Sequence, residues 1–200
     1  MYLKKLLFPL LCGMMFFSCT ESDKTENSDV NAFENMDTTK VLPTFFPVQT
    51  FILGEIESLS KSNGVVTRVE NNKDIPDSVK ITSKEWKEIV STLFYPAIDS
   101  TTLSSHFIEN KFFDQSIGSI TLTYEPKKNK PDSIPWENWN VYIDPENQEI
   151  SRIFLVKKRG NKQMEQITWI PGKFCKVVTI NEDPLCKLNK TKEQMFYWGK

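Results

Sequence analysis

From residue 106 to residue 180 the chain repeats one pattern: a short run rich in β-branched and aromatic side chains, then a turn. Runs of this kind joined by tight turns predict an antiparallel meander, because consecutive strands tend to pair with their neighbours. The predicted strands are 106–112, 117–125, 139–144, 149–158, 163–170 and 173–180. Asp144-Pro145-Glu146-Asn147, Arg159-Gly160-Asn161 and Pro171-Gly172 separate them. Glu125-Pro126-Lys127-Lys128-Asn129-Lys130-Pro131 reads as a basic, Pro-bounded loop, since proline cannot donate to a strand ladder. Gln194-Met195-Phe196-Tyr197-Trp198 adds one edge strand.

Before this β region the periodicity changes. Pro47 suits the first turn of a helix, where its missing N–H costs nothing. Val48, Phe51, Ile52, Ile56 and Leu59 follow it at helical spacing, and Asn63-Gly64 ends the helix. Gly64 to Glu70 and Ser78 to Thr82 read as a hairpin around Asn71-Asn72-Lys73-Asp74. Thr82-Ser83-Lys84-Glu85 has capping-box chemistry. Trp86, Ile89, Val90, Leu93 and Phe94 then make a stripe at i, i+3, i+4, i+7 and i+8. Tyr95-Pro96 stops this second helix, because a residue before proline disfavours the α region. A short helical turn over Asp99 to Ser105 follows. Two helices and a hairpin ahead of a run of strands predict an α+β fold, with two N-terminal helices packed on a mainly antiparallel meander sheet.

The first 42 residues are not expected to join that domain. Met1-Tyr2-Leu3-Lys4-Lys5 is basic, and Leu6 to Phe17 is uncharged and mostly apolar. That run is about twelve residues, against the roughly 20 needed to cross a bilayer core, so it reads as a signal peptide rather than a span. Residues 20–42 open with Thr20-Glu21-Ser22-Asp23-Lys24-Thr25-Glu26-Asn27-Ser28-Asp29, a polar and acidic stretch that has nothing to bury. The expected division is signal peptide 1–18, tether 19–42 and one domain 43–200.

Phe16-Phe17-Ser18-Cys19 resembles a lipobox, and the whole N-terminus is similar to those of Bacteroidota-type lipoproteins. The usual pattern has Leu three residues before the cysteine; Phe16 stands there, a departure frequent in that group. The resemblance implies that Cys19 becomes the first mature residue and carries a diacylglycerol and a further acyl chain. Several chains anchor stably where one is marginal. The acidic start of the tether is similar to the export signal of surface-exposed members. It lacks the tighter Lys or Gln-Ala pattern before paired acids, so a plain solvated linker stands as the other reading. Phe46 to Gly54, Phe113 to Ile117, and Asp132-Ser133-Ile134-Pro135 through Val141 to Pro145 resemble an uncharacterised lipoprotein family. That resemblance brings no activity and no functional residues.

Charge argues against nucleic acid. The chain carries −1 in all, and loss of Lys4 and Lys5 leaves 23 basic against 26 acidic residues. No basic field results. His106 is the sole histidine, so no metal-ligand cluster at short spacing is expected. No Gly-x-Ser-x-Gly elbow, phosphate-binding glycine loop or Cys-x-x-Cys motif occurs. The acidic run Asp144 to Glu149 lacks the central glycine of a calcium loop and reads as a hairpin turn. No cofactor and no catalytic set is expected.

Two features keep open readings. Trp136, Trp139, Trp169 and Trp198 either form an exposed platform that stacks on a sugar or peptide, or fill the core. Cys175 and Cys186, the thiols left after Cys12 is removed and Cys19 is lipidated, either form a disulfide or remain free. The expectation for function is a lipid-anchored, non-enzymatic protein of the cell envelope, at the outer membrane, with a protein or glycan partner. A surface-exposed carbohydrate- or peptide-binding lipoprotein is the second reading, and a hydrolase with an unrecognised site is the third.

Overall fold

The computed structural model describes residues 45–72, 75–98, 103–160, 162–182 and 188–198. All of them fall in one compact unit, 41–200. Helix α1 (Val48–Lys61) opens it, followed by strands β1 (Val66–Asn72) and β2 (Ile75–Ile81). Helix α2 (Ser83–Leu93) comes next. Seven strands then follow: β3 (Phe107–Asp114), β4 (Ser119–Pro126), β5 (Trp136–Ile143), β6 (Ile150–Lys158), β7 (Gln163–Ile170), β8 (Phe174–Glu182) and β9 (Leu188–Tyr197). With β1 and β2 they make, among the described residues, one nine-stranded sheet, antiparallel throughout, in the order β2-β1-β9-β8-β7-β6-β5-β4-β3.

This overturns the expected α+β arrangement of two N-terminal helices packed on a meander. The fold is dominated by its sheet. The helices have 14 and 11 residues, against nine strands of 7 to 10. The hairpin between the helices is itself sheet, because β1 pairs with β9. That pairing depends on β9 being an inner strand, not the short edge strand expected from 194–198. Its first half, Leu188-Asn189-Lys190-Thr191-Lys192-Glu193, is mostly polar and carries no strand pattern; pairing with β8 holds it extended.

The local signals behind the elements are physical. Thr82 and Glu85 form a reciprocal capping box: the Glu85 N–H donates to Thr82 Oγ1 at 3.2 Å, and the Thr82 N–H donates to Glu85 Oε2 at 2.7 Å. Asn63, at φ 51°, turns the chain out of α1, and the Gly64 N–H bonds the Leu59 carbonyl. Gly172, at φ 66° in the β7–β8 turn, donates its N–H to Glu55 Oε2 of α1 at 2.9 Å, tying that helix to one end of the sheet.

One sheet face is the core. Trp139, Leu155, Ile167 and Val177 run across four strands in register, all buried. A second row is Val141, Ile153, Trp169, Cys175 and Phe196. Trp86 of α2 lies nearly parallel to Trp169 at 6.0 Å and tilts onto Phe196 and Trp198. Phe94 meets Trp136 and Trp169. Tyr124 stacks on Trp139 at 4.7 Å, with Phe45 and Phe107 against the same ring system. No helix among the described residues is long and apolar enough to cross a membrane.

Candidate functional site

The opposite sheet face takes no part in these helix contacts. One of its rows reads Thr123, Asn140, Phe154, Thr168, Lys176, Met195 and Val69 across seven strands, and every member is half-buried. Beside it run Val156, Gln166, Val178, Glu193 and Asn71. Glu193 accepts from Lys176 Nζ at 3.2 Å and from Asn71 Nδ2 at 3.4 Å. The Arg152 guanidinium sits 3.8 Å over the Tyr142 ring. Apolar and hydrogen-bonding groups are therefore interspersed over a broad surface that, among the described residues, neither helix covers, and which can hold an extended ligand but brings no reactive group together.

A polar cavity of about 420 Å³ lies at one sheet end, lined by Lys130, Asp132, Pro135, Lys158, Gly160, Gln163 and Met164. Lys130 is nearly buried and donates to the Ile134 carbonyl at 2.9 Å and to Glu137 Oε1 at 3.2 Å. Lys158 reaches the same Glu137 oxygen at 3.2 Å. One carboxylate is thus shared by two ammonium groups, and Asp132 also lines the cavity. The basic loop was legible in the sequence; Glu137 and Lys158, which complete the cluster, were missed. No local pattern marks them, because β5 and β6 bring them together only after pairing.

A third polar group lies at the β3–β4 edge. The Phe46 N–H donates to the Tyr124 hydroxyl at 2.9 Å. Tyr124 also hydrogen-bonds Glu109, and desolvation raises the pKa of both groups. Oε2 of Glu109 is buried without a hydrogen-bond partner among the described residues, as is Nδ1 of His106. His106 does not line the polar cavity.

The residues singled out from the sequence take the following places. Trp136, Trp139, Trp169 and Trp198 are buried, at 0, 0, 0 and 7% exposure. They are packing residues of the core face and offer no stacking platform to solvent, since aromatic partners and helices already cover their rings. Trp136 Nε1 donates to the Pro96 carbonyl at 2.9 Å. Cys175 is a free, fully buried thiol, raised in pKa by desolvation. Its expected partner Cys186, the lipidation residue Cys19 and the tether 20–42 lie outside the described residues. Asp144 to Glu149 forms a hairpin turn, in which Asp144 Oδ1 accepts from the Glu146 N–H and Asn147 Oδ1 from the Glu149 N–H. Among the described residues, no three His, Cys, Asp or Glu side chains converge in a way that would hold a metal ion.

Comparison of the chain with models of known families, with curated proteins and with solved structures finds no match.

Proposed function

We propose that this chain is a lipid-anchored protein of the cell envelope, held at the outer membrane through Cys19, and that its β domain binds a partner without catalysing a reaction. The observation that carries the anchor is the order Lys4-Lys5, apolar run, Ser18, Cys19. Lipid on Cys19 supplies more than one acyl chain, which makes the attachment stable. The binding reading is supported by the sheet face that no described helix covers, where Phe154, Met195 and Val178 lie among Asn140, Thr168 and Lys176. Apolar area flanked by hydrogen-bonding groups suits a protein segment or glycan better than a small reactive substrate. A surface-exposed carbohydrate- or peptide-binding version of this reading draws on Tyr142, Arg152 and Phe154 of the same face, in place of the buried tryptophans.

Two experiments separate the parts. Metabolic labelling with a fatty-acid analogue marks the wild-type chain and not Cys19→Ala; equal labelling of both refutes the anchor. For binding, Phe154→Asp and Met195→Asp are compared with the wild type in capture from envelope extracts. Identical capture profiles from folded variants count against the sheet face.

A further inference from the structure

Glu137 is the extra residue of a bulge in β5: the register passes from Trp136 opposite Lys157 to Asn138 opposite Val156. The bulge sets its carboxylate against Lys130 of the β4–β5 loop and Lys158 of β6, both at 3.2 Å. These ammonium groups belong to residues lining the polar cavity of about 420 Å³, a volume in the range of small-ligand sites. Lys158 stands opposite Met164, the next pair on the same face after Val156 and Gln166. The cavity thus adjoins the sheet face that, among the described residues, neither helix covers.

Two ammonium groups facing one carboxylate retain positive charge. Segments 125–132 and 157–165, which frame the cavity, hold seven Lys and Arg against three Asp and Glu, in a chain at −1 overall. An ammonium has three N–H donors. Lys130 commits two, to Ile134 and Glu137, and Lys158 faces Glu137 alone among the described residues. The Lys130 side chain is 11% exposed and held in place. The Lys158 side chain is 57% exposed, and an exposed pair contributes little, so its ammonium turns to an incoming anion at small cost. The surplus of one charge matches a monoanionic carboxylate better than a phosphate group, which carries close to two. A bare ion would also leave most of the volume to water. Asp132 and Gln163 offer hydrogen bonds to the rest of a ligand, and Pro135 and Met164 give only a small apolar wall. That lining suits a hydroxylated body rather than an aliphatic or aromatic one.

We propose that this cavity binds a sugar acid, with the ligand carboxylate between Lys130 and Lys158 and its hydroxyls on Asp132 and Gln163. The site deepens the binding reading of the sheet face, and rests on that reading for any glycan longer than one sugar.

The test uses the full chain in detergent. Glucuronate and glucose are titrated by saturation-transfer NMR, with inorganic phosphate as a competitor. Glucuronate is expected to bind, glucose to bind clearly less, and phosphate to displace glucuronate poorly. Lys130→Met is expected to weaken glucuronate by about tenfold or more, the loss of a charged hydrogen bond. Lys158→Gln is expected to weaken it by roughly two- to fivefold. Glu137→Gln removes the competing carboxylate and is expected to tighten it, which a purely structural cluster would not do. Because Lys158 is exposed, its variant decides if circular dichroism shows that Lys130→Met fails to fold. Absence of glucuronate binding, equal binding of glucose, ready displacement by phosphate, or unchanged affinity in Lys158→Gln and Glu137→Gln overturns the proposal. An oligogalacturonate separates the cavity from the face: Phe154→Asp should weaken the oligomer and leave glucuronate unchanged. Glucuronate binding with no effect of Phe154→Asp on the oligomer counts against the face alone. Envelope capture through the face without glucuronate binding counts against the cavity alone.

Discussion

Lys157 of β6 donates to the Leu93 carbonyl at 3.1 Å, so a sheet side chain caps the last turn of α2. The same ammonium reaches the Tyr95 carbonyl and sits 5.1 Å from the Trp136 ring centre. A cation at a helix C-terminus satisfies orphan carbonyls and opposes the helix dipole.

Lys157→Met is therefore expected to destabilise the domain at neutral pH by about 1–3 kcal/mol, the loss of charge-assisted hydrogen bonds to the part-buried Leu93 carbonyl and the exposed Tyr95 carbonyl. The pH dependence has a definite sign. Burial lowers the Lys157 pKa below its ordinary 10.5, with the nearby Glu165 carboxylate opposing the shift. Between that lowered value and 10.5 the unfolded chain holds more protons than the folded one, so this group's contribution to stability rises with pH. Urea unfolding from neutral to alkaline pH should show that rise in the wild type and lose it in Lys157→Met. An unchanged slope in the variant refutes the assignment.

Trp86 and Phe94 are fully buried and lie between α2 and the tryptophans of β5, β7 and the C-terminal end. Truncation of either to Ala should cost roughly 3–5 kcal/mol. Nε1 of Trp86 has no hydrogen-bond partner among the described residues, so Trp86→Phe loses area but no bond. It should cost clearly less than Trp86→Ala in denaturant titration. A loss below about 1 kcal/mol for Trp86→Ala would place this stripe outside the core.

The capping box gives a smaller, independent check. Thr82→Ala removes the acceptor for the Glu85 N–H and should cost about 1 kcal/mol. Glu85→Gln keeps an oxygen to accept from Thr82 and should cost less. Equal losses would mean that charge at the helix N-terminus, and not the reciprocal bonds, stabilises α2.

These elements differ in how they are encoded, which explains what the sequence revealed. The box at Thr82 and Glu85 and the Trp86 stripe depend on residues within one or two turns, so spacing alone exposes them. The strands between residues 106 and 180 were legible for the same reason, since each has its own turn. β9 was not, because Asn189 to Gln194 is held extended by pairing with β8, joined by β1 only from Glu193 onward. The α+β expectation failed at that point: without β9 inside the sheet, the 66–81 hairpin looks like an appendage to two helices. The Lys130–Glu137–Lys158 cluster was hidden likewise, its members joined across β5 and β6. The tryptophans illustrate the reverse problem. Enrichment in aromatics is visible in composition, but whether the rings face helices or solvent depends on the face each strand presents.

Residues 20–42 should contribute nothing to the stability of the domain, as their polar and acidic composition predicts. A chain starting at Leu42 is expected to unfold at the same denaturant midpoint as one starting at Cys19. A midpoint shifted downward by the truncation would show that the tether packs on the domain.

Cys175 lies opposite Trp169 on one side and Phe196 on the other, with no exposed surface. Desolvation raises its pKa, which keeps the thiolate, the reactive form, scarce. Burial and protonation act together, so alkylation at neutral pH should be slow in the folded protein and limited by opening of the sheet. The same reagent should label Cys175 rapidly in denaturant without any reductant, because the thiol is free. Peptide mapping after that step locates the label. If Cys175 labels only once a reductant is added, the alternative of a Cys175–Cys186 disulfide is established instead, and the chain beyond β8 must fold back to it. Cys175→Ser provides a second readout: it puts a hydroxyl among aromatic neighbours and should destabilise by about 1–3 kcal/mol if no hydrogen-bond partner is available. Cys175→Ala, which buries no polar group, should cost less. A disulfide would largely erase that difference, since both substitutions would then lose the same cross-link and converge on a similar, larger loss.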